Sequence, residues 1–537
     1  MNYYKIASVK RTTFLRNVTR LIQFIVIPFM ALTISCEENK TPDQTTKGNT
    51  YYLNTNGNDS NQGTRDNPWK TIEKLNSIKL DAGDTVFFQA GQIFEGSIVI
   101  DSAESGARNN PIVLTSSLGS ASTIHSGNQQ ALVIDRSAHV NVTNLNFAGN
   151  GRKEGNHENG VIIMNSSHVS VDSFDVKGFQ KAGLLVYASF NVDVNRVYAH
   201  DNGAAGISVS GNKGKEGCKN ISIRHCVAEN NPGDPTNFTN HSGNGIIVGL
   251  CRGVTIEYCA ATNNGWDMPR VGNGPVGIWA WEADSVIIQH CISYRNKTSR
   301  GGEDGGGYDL DGGVTNSVIQ YCLSYENAGA GFGIFQYSGA SPWKNNIIRF
   351  NISENDGLAS TAHAGVYIWN SSNDENQFAD CLIHNNVICN APGAAIRFSG
   401  DSKRKGFRYY NNIFIAKDEL TKGVSVNDTF IGNDWWSLTG GFNMNGIRNF
   451  DTWVTQTGQE KLDGKLNGAN TDPGFENSNP VLITSPLELT SFTKYRLPLN
   501  SFLRTKGVDL KTSFGVETGN KDFNQNSVPV KGIGASF

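Results

Sequence analysis

The sequence predicts an all-β solenoid, a parallel β-helix, and three observations point there. Short β-branched runs separated by Asn- and Gly-rich turns recur from about residue 112, at a spacing of roughly 22 to 40 residues. One pattern overlays on itself: Ile-Ser-Ile-Arg-His-Cys (221–226), Val-Thr-Ile-Glu-Tyr-Cys (254–259), Val-Ile-Ile-Gln-His-Cys (286–291), Ser-Val-Ile-Gln-Tyr-Cys (317–322) and Asn-Ile-Ile-Arg-Phe-Asn (346–351). No amphipathic helical pattern alternates with these strands, which disfavours a barrel or a doubly wound sheet.

In chain order, the first segment is one for export. Residues 1–20 carry Lys5, Lys10, Arg11, Arg16 and Arg20 and no acid, and an apolar run follows at 21–34, ending in Ser35-Cys36. That is a signal peptide, too short to read as a membrane span. Ser35-Cys36 resembles a lipoprotein-processing box, with Thr33 where that pattern usually has leucine. The resemblance implies a lipoprotein signal peptide over 1–36, a lipid on Cys36 and a membrane anchor. Glu37-Glu38 resembles the sorting signal of surface-exposed lipoproteins in some Gram-negative bacteria, which implies an exported outer-membrane lipoprotein. Residues 37–49 are polar and read as a flexible tether. The 537 residues carry a net charge of −3 and 59 glycines. That balance leaves no electrostatic footprint for nucleic acid.

Stacked coils explain the cysteines. Equivalent residues of successive coils lie about 4.8 Å apart, so Cys226, Cys259, Cys291 and Cys322 form an internal column with Leu145, Phe174 and Val197 before them and Asn386 after. They are expected to be reduced spacers rather than disulfides. Asn230, Asn263, Asn296, Asn327 and Asn355 suggest an asparagine ladder at a turn.

The two ends carry a resemblance. Tyr-Tyr-Leu-Asn-Thr-Asn-Gly-Asn-Asp-Ser-Asn-Gln-Gly-Thr (51–64), Pro-Trp-Lys-Thr-Ile (68–72) and Gly-Asp-Thr-Val (83–86) resemble the first segment of right-handed β-helix carbohydrate enzymes of the pectate-lyase-like superfamily. Thr-Asp-Pro-Gly-Phe (471–475), Tyr-Arg-Leu-Pro-Leu (495–499) and Gly-Ile-Gly-Ala (532–535) resemble their closing segment. The resemblance implies a right-handed helix with a short N-terminal capping helix near 72–78. It also implies one β-helix domain over 50–537, with a lead-in at 50–110, coils over about 111–420 and a closing segment over about 421–537. A monomer is expected.

Period-two alternation in the strand before each ladder strand gives outward residues Ile247 and Gly249, Trp279 and Trp281, Asp309 and Asp311, Gly333 and Phe335, Tyr367 and Trp369, then Arg397. One face thus carries carboxylates flanked by aromatics, a natural saccharide cleft; the alternative is that loops cover these rings as a second small core. Long loops at 231–244, 264–276, 296–306 and 355–364 would bring His241, Trp266, Asp267, Arg270, Arg300, Glu303, Asp304 and His363 near the same edge.

The segment at 301–313, Gly-Gly-Glu-Asp-Gly-Gly-Gly-Tyr-Asp-Leu-Asp-Gly-Gly, crowds Glu303, Asp304, Asp309 and Asp311 together. Like charges this close raise each other's pKa, hold a cation or divide acid and base roles. The favoured reading is an extracytoplasmic glycoside hydrolase that cuts a polysaccharide or oligosaccharide with Asp309 and Asp311, with Glu303 and Glu282 as alternates and no cofactor. The two aspartates have Cα atoms roughly 6.5 Å apart, near the boundary between retaining and inverting separations. Trp279, Trp281, Trp266, Phe335, Tyr367, Trp369, Arg397, Arg270 and His363 would bind substrate. The competing reading rests on resemblance: Gly-Glu-Asp-Gly-Gly-Gly-Tyr-Asp-Leu (302–310) is similar to the calcium segment of family-nine pectate lyases. That implies Ca²⁺ on Asp304 and Asp309 and β-elimination on a uronic-acid glycan. The family follows with Gly-Phe-Lys-Leu, whose lysine is the base. Here the segment is Gly-Phe-Gly-Ile (331–334), with Arg397 or Arg300 left as substitutes. A third reading is a non-catalytic surface glycan-binding protein.

Overall fold

The computed structural model describes residues 48–212, 217–359, 363–423, 427–476 and 483–537. The signal peptide, Cys36 and nearly all of the tether lie outside the described residues.

Most coils are three short strands turned into one another at residues in the left-handed region. One coil runs through Asn244–Gly249, Cys251–Glu257 and Ala260–Thr262, with Leu250, Tyr258 and Asn263 at φ of 50°, 53° and 52° between and after them. The next repeats this with Glu282, His290 and Arg295. A left-handed residue turns the strand sharply without a loop, and asparagine adopts that conformation readily. Successive coils pair in parallel, and among the described residues they build a 12-stranded and a 25-stranded parallel sheet. The observed architecture is the right-handed parallel β-helix. The capping helix α1 (Ile72–Asn76) starts at Thr71, whose hydroxyl accepts from the Lys74 N–H, and buries Ile72 and Leu75. Parallel pairing already joins Thr50–Leu53 to Thr85–Phe88 and continues to Asp434–Ser437, so the stack takes in the lead-in and passes residue 420.

The interior is columns of like residues. Ile246, Ile278, Tyr308, Phe332, Val366 and Ile396 occupy one column and Val248, Ala280, Leu310, Ile334, Ile368 and Phe398 another, all buried. The cysteines among the described residues are free thiols, and Cys226, Cys259, Cys291 and Cys322 stand in one buried column. Asn351, Asn386, Asn412 and Asn433 continue it, each side-chain oxygen accepting the preceding member's backbone N–H, from Cys322 at 2.9 Å onward. Glu460 closes the series by accepting from Asn433.

The other asparagine ladder differs from the expected one. It runs Asn202, Asn231, Asn264, Asn296 and Asn327, and ends on Asp356. Asn296 and Asn327 are members, whereas Asn230, Asn263 and Asn355 are the left-handed corners one residue earlier. Where two asparagines are adjacent, the corner takes the first and the ladder the second.

A second apolar cluster lies outside the coils. Ile292, Leu323, Ile352, Val387 and Ile413 form an outward stripe along the stack. Ile483, Leu489, Phe492, Leu497, Leu503, Ile533 and Phe537 of the closing segment cover it. Tyr325 donates to the Ile483 carbonyl, Asn385 to that of Gly532 and Asn411 to that of Val508, fastening the segment down.

Candidate functional site

Six strands of the 12-stranded sheet carry the site: β1 (Asn244–Gly249), β2 (Val276–Trp281), β3 (Gly306–Leu310), β4 (Phe332–Gln336), β5 (Ala364–Asn370) and β6 (Ala394–Gly400). Their pairing sets Ile247, Trp279, Asp309, Gly333, Tyr367 and Arg397 in one outward column. Phe335 and Trp369 pair in the next. The inward partners of these residues are the core columns above, so the face cannot slip by one residue without exposing the core.

A cavity of about 760 Å³ lies over this face. Its walls include Trp279, Trp281, Phe335, Tyr367, Trp369, Arg397, Glu303, Asp304, Asp309, Asp311 and His241. The alternative of a covered second core holds in part: Trp279 and Tyr367 are buried, yet both still face the cavity. The Trp279 indole donates to Asn244 Oδ1 at 3.0 Å, and the Tyr367 hydroxyl meets Ser399 Oγ at 2.7 Å. The Arg397 guanidinium stacks 4.5 Å from the centre of the Tyr367 ring.

Three carboxyls share the floor. Asp304 sits in the left-handed region (φ 59°) and accepts the Gly274 N–H on Oδ2 at 2.7 Å. Asp309 is 3% exposed, and its Oδ1 has no hydrogen-bond partner. Asp311 follows the end of β3 and accepts the Gly312 N–H at 2.7 Å. Burial pushes all three carboxyls up, and each also feels a neighbouring acid: Asp304 to about 6, Asp311 to about 7, and Asp309 well above the ordinary carboxylate range. His241 is held neutral, lowered to about 4 by burial and by Arg270.

The remaining expected residues are placed differently. Glu303 is a wall residue on the solvent side, 3.7 Å from His363 Nε2. His363 lies beneath the groove in a small cavity with Asp304, Asp309, Gly333, Phe335 and Tyr367. Glu282 is a left-handed corner that accepts the Ser341 N–H and lines a separate depression. Arg270 donates to the Asn273 carbonyl at the cavity edge. Trp266, 44% exposed, lies outside the cavity: its indole donates to Asn230 and Arg152 stands 5.9 Å from its ring. Asp267 is paired with Arg152 and Lys153 there. Arg300 is exposed and lines no part of the cavity. Tyr337, Ser399, Asn240 and Asn273 also line the cavity and were missed. Tyr337 and Ser399 continue the period-two alternation from Phe335 and Arg397, so that signal was present; the two loop asparagines carried none.

Calcium takes six to eight oxygen ligands. Among the described residues no group of three or more His, Cys, Asp or Glu side chains is placed to hold a metal ion. The column neighbours of Asp309 are an indole and a glycine. Asp304 and Asp309, the two ligands that the resemblance implies, both line the cavity. Gly333, where the resemblance puts a lysine, is Asp309's neighbour on the next coil; a Cβ there would meet the Phe335 ring at 2.8 Å and Asp309 Oδ1 at 3.0 Å. The Phe335 ring thus occupies the space such a side chain would use.

An acid-floored, aromatic-walled groove on the outer face of a right-handed β-helix defines the class as that of the pectate-lyase-like superfamily. The chain belongs to the Pel9A-like family with a right-handed β-helix region, whose pattern matches residues 51–362. That places it among β-helix proteins of carbohydrate-active enzyme families. Among solved structures, it is similar to the PL6 family alginate lyase AlyGC (14% identity over 80% of this chain and 56% of that one, TM-score 0.52). It is also similar to pectate lyase Pel9A (14% identity, 91% and 97%, TM-score 0.45) and to GH136 lacto-N-biosidase from Eubacterium ramulus (16% identity, 71% and 67%, TM-score 0.47). These likenesses are ones of fold. No curated protein matches the chain.

Proposed function

We propose that the protein is a glycoside hydrolase that cuts a polysaccharide or oligosaccharide lying along the aromatic groove. The observation that carries this reading is the group of three carboxyls, the buried Asp309 and the half-buried Asp304 and Asp311, with raised proton affinity inside one aromatic-walled cavity. Two acids held apart in affinity divide the labour of glycosidic cleavage. Asp309, the more strongly raised, keeps its proton and gives it to the leaving oxygen. Asp311 ionises near neutral pH and serves as base or nucleophile, and Asp304 holds both affinities up by its charge. Trp281, Phe335 and Trp369 offer rings to the apolar faces of sugars.

β-Elimination through calcium is the less favoured reading, because the glycine at position 333 stands where the resemblance puts the lysine base. Export and lipid anchoring at Cys36 remain part of the proposal, on the strength of residues 1–38; the mass of the mature N-terminus would check them.

A polysaccharide panel assayed for both reducing ends and near-ultraviolet absorbance tests the reaction. Hydrolysis gives reducing ends without absorbance and survives a chelator, whereas an absorbing, chelator-sensitive product would overturn it. Binding without any product would identify a glycan-binding protein instead.

A further inference from the structure

The small cavity beneath the groove is bounded by Val276, Asp304, Tyr308, Asp309, His363 and Tyr367, among others. It leaves about 10 Å³ for the centre of a water-sized sphere, close to what one water needs. Two of its wall residues bring unpartnered buried polar atoms, Asp309 Oδ1 and His363 Nδ1, on side chains 3% and 4% exposed. Buried polar atoms without a partner are costly and uncommon, and a polar pocket of this size is where structural water sits. The other ring nitrogen of His363, Nε2, faces Glu303 Oε2 at 3.7 Å. The groups around the pair are Asp304 and Asp311 near Asp309, and Glu303, Arg397 and the Tyr367 ring near His363.

We propose that His363 is a positioning residue: it and Asp309 hold one ordered water between Nδ1 and Oδ1, and this water fixes which oxygen of Asp309 carries the proton. With Nε2–H toward Glu303, the neutral imidazole presents Nδ1 as an acceptor. The water donates one O–H to Nδ1 and the other to Asp309 Oδ1. Oδ1 is then an acceptor, so the carboxyl proton resides on Oδ2, the oxygen left for the groove and the leaving group. Nothing is transferred through the water; it sets tautomer and rotamer. The catalytic half of this inference rests on the hydrolase reading, while the water itself does not.

His363→Asn keeps a polar atom near the Nδ1 position and His363→Gln keeps one near Nε2, so the pair separates the water contact from the Glu303 contact. In a high-resolution crystal structure of the unliganded protein, density for one water is expected within hydrogen-bond distance of Asp309 and His363. It should persist in the Asn variant, with the water or the Asp309 rotamer lost in the Gln variant. Absence of that density in the wild type, or its persistence in the Gln variant with Asp309 unmoved, overturns the site. On a cleaved substrate, H363Q should lose about 10²-fold in kcat with KM nearly unchanged, as for misplacement of a reacting group, and H363N should keep most of kcat. The reverse ranking, or a loss confined to KM, would reject the positioning role. If the panel yields no hydrolysis, the hydrolase reading fails while the crystallographic result still decides the water.

Discussion

The raised acids make a specific demand on stability. A carboxyl whose affinity is raised on folding binds more protons in the native than in the unfolded chain over the interval between its two pKa values. Its neutral form is accommodated below the ordinary carboxylate value of about 4, and stability falls as pH rises through the folded value. For Asp304 and Asp311 that interval ends at about 6 and about 7. The wild type should therefore lose thermal stability between about pH 4 and pH 7. Asp311→Asn, which cannot ionise, should melt roughly 2 °C higher than wild type at pH 8 and no higher at pH 4. The same variant and Asp309→Asn should each lose reducing-end release by at least about 10²-fold with unchanged circular dichroism. Full activity in both would remove these residues from the mechanism. In the wild type, kcat/KM should climb as Asp311 ionises near 7 and fall once Asp309 gives up its proton.

At the scale of the element, the ladders are what the turns rest on. Asn386 accepts from the Asn351 backbone N–H and donates to the Ile348 carbonyl and to Asn412. Asn386→Ala leaves a buried donor and a buried acceptor unpaired, at a cost of about 3 kcal/mol, which urea unfolding would read. Cys322 occupies the same column one coil before Asn351, so Cys322→Asn should extend the amide ladder and cost much less than Cys322→Leu. These columns were legible in the sequence because a coil repeat and a period of two together assign every residue a side. The same arithmetic placed Trp279, Asp309, Tyr367 and Arg397 in one outward line. It misses by one residue where the chain turns at a left-handed corner, as at Asn230 and Asn263. Glu282 fell outside the cavity for the same reason: it is itself such a corner. Loop residues follow no period, so Trp266 was placed in the groove although it packs beside Asn230, and the burial of His363 beneath the floor left no mark in the sequence.

At the scale of the molecule, the scaffold keeps its two outer faces distinct. The 12-stranded sheet presents the groove, while the stripe from Ile292 to Ile413 is sealed by the closing segment. A chain stopped before residue 469 should uncover that stripe and elute as an aggregate on size exclusion. A full-length chain carrying Phe492→Ser should elute as the wild type does but melt at a lower temperature. The seal also sets an order of events. Coils can add one to the next as the polypeptide is made, since each needs only its neighbour, but the stripe waits for residues that arrive last. During synthesis, that waiting surface is the part of the molecule with most need of a chaperone.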